Sequence, residues 1–198
     1  MSEPVVIIGS TGANLASLDF ALQRLAVNAP VTEDAERIRA AAKVILPGVG
    51  AAEDAMQRLQ RANLDRLVTE LTQPLLGICV GMQLLFERSE EDDAQCLGIV
   101  PGVVSRFPDT PGLPVPEMGW NQLEQLTQSP LLKDVVEGDY AYFVHSYAAP
   151  ISEFTIAAST YGIAFTAAVA RDNFFGTQFH PERSARLGAQ ILKNFLTL

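Results

Sequence analysis

The apolar positions of the chain fall into two textures that meet near residue 97. Before it, unbroken apolar runs alternate with stretches of helical spacing. Val5-Val6-Ile7-Ile8 is a run suited to a strand buried on both faces, and residues 15 to 27 follow with leucines at 15, 18, 22 and 25. Val44-Ile45-Leu46 and Leu75-Leu76-Gly77-Ile78 read as two more strands, and the Ala/Leu-rich residues 51 to 71 between them as one or two helices. Strand-helix alternation predicts a parallel sheet. After residue 97 the runs shorten, are rich in Val, Phe, Tyr and Thr, and are broken by Pro101-Gly102, Pro108, Pro111-Gly112, Pro114 and Pro116, which predicts hairpins. Residues 154 to 159, 165 to 170 and 174 to 179 read as successive strands, and residues 185 to 196 as a closing helix with Leu187, Ile191, Leu192 and Phe195 inward. The pattern predicts a three-layer α/β sandwich.

Composition narrows the possibilities. With 198 residues, 48% of them hydrophobic, the chain can bury one sizeable core and is short for two, so one domain over residues 1–198 is expected. No apolar run approaches a membrane span, and the N-terminus lacks the succession of a signal peptide, which predicts a cytoplasmic protein. The net charge of −9, from 14 basic residues scattered among 23 acids, disfavours binding to nucleic acid. Cys79 and Cys96 stand far apart and the only histidines are His145 and His180, so neither a disulfide framework nor a metal site is expected, and no cofactor.

The candidate chemistry centres on Cys79. Gly77-Ile78-Cys79-Val80-Gly81 joins the apolar Pro74-Leu75-Leu76 to the amphipathic Met82-Gln83-Leu84-Leu85-Phe86, which puts Cys79 in a sharp strand-to-helix turn. Flanking glycines relieve the crowding around a strained nucleophile, and the N-terminus of the next helix favours a thiolate. A free cysteine is more often a small buried hydrophobe, so the assignment requires a base elsewhere. His180 ends an apolar strand, with Pro181 stopping the ladder and Glu182 placed two residues on to hold the imidazole tautomer. His145, inside Tyr142-Phe143-Val144-His145-Ser146-Tyr147, lacks an acid two or three residues on and reads as buried and hydrogen-bonded. The expected triad is Cys79, His180 and Glu182. Pro47-Gly48-Val49-Gly50 could be a plain turn, but beside the elbow its N–H groups and that of Val80 can hold an oxyanion.

An elbow cysteine followed about a hundred residues later by His-Pro-Glu resembles the class I (triad) glutamine amidotransferases. With Pro47-Gly48-Val49-Gly50, Met118-Gly119-Trp120-Asn121, Tyr142-Phe143-Val144-His145-Ser146-Tyr147 and Gly176-Thr177-Gln178-Phe179-His180-Pro181-Glu182-Arg183-Ser184, nearly the whole chain is similar to the glutaminase subunits of imidazole glycerol phosphate synthase. The resemblance implies a flavodoxin-like α/β/α sandwich with a central, mostly parallel sheet and antiparallel strands added in the C-terminal half. It implies hydrolysis of glutamine through a thioester on Cys79. The ammonia would pass to a cyclase subunit of (β/α)8-barrel fold, bound as a heterodimer, to make imidazole glycerol phosphate and an aminoimidazole carboxamide ribotide in histidine biosynthesis.

By the same resemblance Val49 and Gly50 join Val80 in the oxyanion hole, and Gly48, Gln83, Glu91, Ser146 and Tyr147 bind glutamine. Asn14, Trp120, Asn121, Tyr142 and Arg183 would face the partner. On residue type alone Gln83 reads as a solvated helix residue, Glu91 as one charge of the exposed run 87 to 93, and Trp120 as core. The segment from Gly9 to Leu15 keeps only the Asn14-Leu15 pair of the family's loop, and Glu117 and Arg183 stand where the family commonly has histidine and lysine. Three rivals stay open: a glutaminase of another synthase, a non-catalytic interaction protein on the same fold, and a cysteine hydrolase of related fold.

Overall fold

The computed structural model describes residues 5–9 and 15–198. The chain opens with β1 (Val5–Ile8), α1 (Leu15–Arg24), β2 (Val31–Thr32), α2 (Ala35–Ala40), β3 (Lys43–Gly48), α3 (Ala52–Arg61), α4 (Asp65–Glu70) and β4 (Leu75–Cys79). It continues through α5 (Val80–Gln83), β5 (Phe86–Ser89), β6 (Ala94–Gln95), β7 (Val100–Arg106), β8 (Glu117–Gln122) and β9 (Tyr140–His145). The last elements are β10 (Tyr147–Ala148), β11 (Thr155–Tyr161), β12 (Ile163–Arg171), β13 (Phe174–Thr177) and α6 (Ala185–Leu196).

A seven-stranded sheet runs β11-β12-β13-β4-β3-β1-β2. The stretch from β13 to β2 is parallel, and β11 and β12 are antiparallel additions from the C-terminal half. Strands β1, β3, β4 and β13 are buried at every position, a pattern that requires cover on both faces. The expected three-layer class is therefore present. Two small sheets, β10-β7-β5-β6 and the pair β8-β9, lie beyond the main one. Among the described residues, no helix is long and apolar enough to cross a membrane.

The structure departs from the sequence reading in four places, each with a local cause. Helix α1 stops at Arg24 rather than continuing to residue 27, because Ala26 turns to φ 59° and the Val27 N–H folds back onto the Leu22 carbonyl. Helix α2, which the pattern does not announce, is capped by Asp34, whose carboxylate accepts from the N–H groups of Glu36 and Arg37 at 2.9 and 3.1 Å. The amphipathic helix expected through Phe86 is a single turn, α5. Leu84, Leu85 and Phe86 are fully buried, and their carbonyls accept from Leu97, Val100 and Gly98 instead of a further helical turn. Hairpins beyond residue 97 are only part of the outcome, since β5 pairs with β7 in parallel while β8-β9 and β11-β12 are antiparallel.

The tightest packing lies under the elbow. A Cβ on Gly81 would stand 1.8 Å from the Leu46 carbonyl oxygen, so α5 rests against the backbone of β3 with no room for a side chain. Gly81→Ala should lower stability by about 3 kcal/mol or more, read as the shift of a denaturant midpoint, because neither backbone can yield without moving a central strand.

Candidate active site

Three parallel strands end side by side, with Gly48 of β3 opposite Cys79 of β4, and Thr177 of β13 opposite Ile78. Their carboxyl ends therefore deliver Pro47-Gly48-Val49-Gly50, the elbow and His180 to one edge, where open α/β sheets place ligands. A cavity of about 650 Å³ opens there. It is lined by Cys79, Val80, His180, Glu182, Gly48, Val49, Gly50, Gln83, Glu91, Ser146, Tyr147 and Arg183, all singled out from sequence.

Cys79 adopts φ 55° and ψ −114°, a backbone conformation that an L residue holds only when its surroundings impose it. It is buried, and its Sγ lies 4.0 Å from the Val144 carbonyl and accepts from Gln178 Nε2 at 3.8 Å. The helix that begins at Val80 has only four residues, so the polar help at the sulfur comes from first-turn N–H groups rather than a long dipole.

His180 Nδ1 bonds Glu182 Oε1 at 2.8 Å across the short turn Pro181–Arg183. Its own N–H donates to the Tyr142 carbonyl, and its carbonyl accepts from Ser184 Oγ at 2.7 Å, which locks the backbone of the base. Nε2 is buried and has no hydrogen-bond partner among the described residues. Burial alone would lower the imidazole pKa, but the neighbouring Cys79 sulfur and the bond and charge of Glu182 outweigh it and push it up to about 10.

His145 is a different kind of histidine. Nδ1 donates to the Tyr147 carbonyl at 2.7 Å, and Nε2 lies 3.0 Å from Glu117 Oε2, its cross-strand neighbour in the β8-β9 pair. The acid missing from its own strand comes from the next one. Phe107, Phe143 and Phe165 pack around the ring with centroids 5.0, 5.7 and 5.1 Å away. With both nitrogens committed, His145 can lend neither to chemistry.

Gln83 is not solvated. It is 2% exposed, with Nε2 donating to the Tyr147 carbonyl and to Gln178 Oε1, both at 3.0 Å. Glu91 is half-buried rather than part of an open charged run, and its Oε2 accepts from Ala52 N–H at the start of α3 at 2.9 Å. Desolvation raises its pKa, and the bond from Ala52 partly opposes this. Its neighbour Glu90 is turned to the Arg106 N–H at 3.1 Å and does not line the cavity.

The residues read as facing a partner divide in two. Trp120 is 52% exposed instead of core, and packs edge to face on Tyr142 at 5.9 Å, while the Arg183 guanidinium sits 4.3 Å over the Tyr142 ring. Met118 and Tyr140, 67% and 55% exposed, extend this apolar face. Asn121 points elsewhere, its Nδ2 donating to Glu117 Oε1 at 2.8 Å and to the Thr160 carbonyl at 2.9 Å. Asn14 lies outside the described residues.

Sequence reading missed Gln178 and the Glu117–His145 pair. The strand expected over residues 174 to 179 would put Gln178 on the side of His180, two residues earlier, and that was the available signal, although β13 itself ends at Thr177.

Comparison with known proteins agrees with this geometry. Residues 10–198 match the family described as glutamine amidotransferase class-I. The chain is 50% identical over 194 residues to the imidazole glycerol phosphate synthase subunit HisH of Idiomarina loihiensis, covering 98% of this chain and 97% of that one. It is 53% identical to the protein of the same name from Xylella fastidiosa, with the same coverage. Among solved structures, a putative GMP synthase component from Thermoplasma acidophilum superposes with a TM-score of 0.76 at 16% identity, covering 100% of this chain and 94% of the other. A glutamine amidotransferase from Thermotoga maritima gives 0.68 at 16% identity, over 100% and 82%. The chain belongs to the class-I glutamine amidotransferases and, within them, to the family of the imidazole glycerol phosphate synthase subunit HisH.

Proposed function

We propose that this single-domain chain hydrolyses glutamine at Cys79 and hands the ammonia to the (β/α)8-barrel cyclase of a cytoplasmic imidazole glycerol phosphate synthase. The observation that carries the reading is the convergence of an elbow cysteine, a His–Glu pair and the Val49-Gly50 backbone on one cavity. Cys79 gives its proton to His180 and attacks the carboxamide carbon. Glu182 fixes the tautomer and offsets the imidazolium charge. The oxyanion is held by Val80 N–H with those of Val49 and Gly50. His180 then protonates the leaving nitrogen, ammonia departs, and water attacks the thioester under the same base to release glutamate. Gln83 and Glu91 hold the amino-acid end of the substrate, with Gly48, Ser146 and Tyr147 closing the rest of the pocket. The Trp120, Tyr142 and Arg183 stack, with Met118 and Tyr140 beside it, forms the cyclase contact. There the ammonia joins a ribulosyl intermediate, giving imidazole glycerol phosphate and the carboxamide ribotide.

Cys79→Ala should abolish glutamate release while leaving partner binding intact, and His180→Ala should be nearly as severe. His145→Ala should chiefly cost stability. Glutamate production at equal folded fraction measures all three, and a Cys79→Ala variant that retains substantial turnover would sink the triad.

The oxyanion strand predicts regulation. Gly48 and Gly50 flank Val49, and Gly50 sits at φ 85° with open space where a Cβ would be, so the side-chain crowding that opposes a peptide flip is absent there. Losing one oxyanion donor costs about 2.7–4 kcal/mol, roughly a hundred- to thousand-fold in rate. Glutamate release by the chain alone should therefore be slow, and should rise by orders of magnitude in the complex with the cyclase substrate bound. Equal turnover in both states would mean a permanently formed hole.

His180 also ties stability to pH. Its folded pKa, about 10, lies above the ordinary 6.5, so folding favours the protonated ring. The resulting stability is complete below 6.5 and is lost as pH rises through about 10. Urea midpoints should fall across that window, and His180→Gln should flatten the decline.

A further inference from the structure

Three buried polar side chains that the proposed chemistry leaves unused, Gln178, His145 and Glu117, join Gln83 and the Cys79 sulfur in one connected set. Glu117 takes Asn121 Nδ2 on Oε1 and His145 Nε2 on Oε2, and His145 Nδ1 donates to the Tyr147 carbonyl. That carbonyl also accepts from Gln83 Nε2, whose other hydrogen goes to Gln178 Oε1. Gln178 Nε2 in turn reaches the Cys79 sulfur at 3.8 Å.

Every direction along this set follows from its fixed point. A backbone carbonyl can only accept, so both atoms facing Tyr147 oxygen carry hydrogens. Gln83 must turn its NH₂ group inward, which leaves its carbonyl oxygen as the amide's remaining group for a ligand. Gln178 must then present oxygen to Gln83 and its NH₂ group to the sulfur. On the other side a proton has to lie between His145 Nε2 and Glu117, since two bare acceptors 3.0 Å apart would repel. Gln178 has no solvent exposure, so a misdirected amide there would leave polar groups unpaired.

We infer that Gln178 is a positioning residue that aims an N–H at the Cys79 sulfur and turns the Gln83 carbonyl toward the substrate, with the Tyr147 carbonyl, which His145 also holds, as its fixed point. A hydrogen bond to a thiolate is charge-assisted, so it stabilises the nucleophile as well as orienting it. The inference rests on the proposed role of Cys79, and the two can fail separately. Turnover that survives Cys79→Ala removes the triad, whereas a dead Cys79→Ala beside an unaffected Gln178 variant removes only the positioning role.

Gln178→Met keeps the length but offers the sulfur no donor and Gln83 no acceptor. In the complex with the synthase partner its kcat should fall roughly ten- to a hundred-fold, and KM for glutamine should rise. Gln178→Glu keeps an acceptor for Gln83, and its buried carboxyl, driven to the neutral form, can still donate an O–H to the sulfur, so it should recover part of the lost kcat. Iodoacetamide alkylation at the Cys79 peptide, resolved from Cys96 by mass spectrometry, should slow in Gln178→Met, a readout that general loosening would move the other way. Circular dichroism establishes the folded fraction. Folded Gln178→Met with wild-type kcat or wild-type alkylation overturns the inference. If Gln178→Met does not fold, Gln178→Asn, one methylene short of the sulfur, is measured in its place, and unchanged kcat and alkylation there overturn it.

Discussion

One strained residue organises this molecule. Cys79 leaves β4 in a conformation that costs an L residue of order 1–3 kcal/mol, and it keeps that conformation because its neighbours permit no other path. The strand before it is held between β3 and β13, and the turn after it lies against the Leu46 carbonyl through the bare face of Gly81. Relaxing the backbone would require a parallel strand at the centre of the sheet to shift. The hydrophobic core thus fixes where the sulfur stands, and the site inherits its geometry from burial rather than from contacts within the site.

The same edge of the sheet explains why residues so distant in sequence meet. Parallel strands all finish on one side, so whatever follows β3, β4 and β13 is collected there without further design. The β8-β9 pair and β10 then close the cavity from outside, carrying Val144, His145, Ser146 and Tyr147 to it. The base is held from below by Tyr142 and Ser184, and from the side by Glu182.

Much of this was legible in the sequence. Unbroken apolar runs marked the parallel strands, because a strand covered on both faces has no polar side to display. Paired glycines marked the elbow, and Pro-Glu after His180 marked the base. What could not be read was set by partners far along the chain. Leu84 to Phe86 have helical composition, but their carbonyls are claimed by residues 97 to 100, and no local pattern announces that competition. Gln83 and Glu91 looked like surface residues because their burial depends on β10 and α3 arriving above them. Glu117 looked like a departure from a family pattern and His145 like a lone core histidine, because their pairing is a matter of strand register.

That register has a consequence for how the chain can vary. Glu117 and His145 are 3% and 6% exposed, the histidine packed among phenylalanine rings, so either one alone would be a buried polar group without its mate. Removing one member of such a pair is far more damaging than replacing both. Substitutions at the two positions will be strongly non-additive, the second recovering part of what the first destroyed. Though separated in the chain, positions 117 and 145 are coupled, and what one tolerates depends on the polar partner that the other offers it.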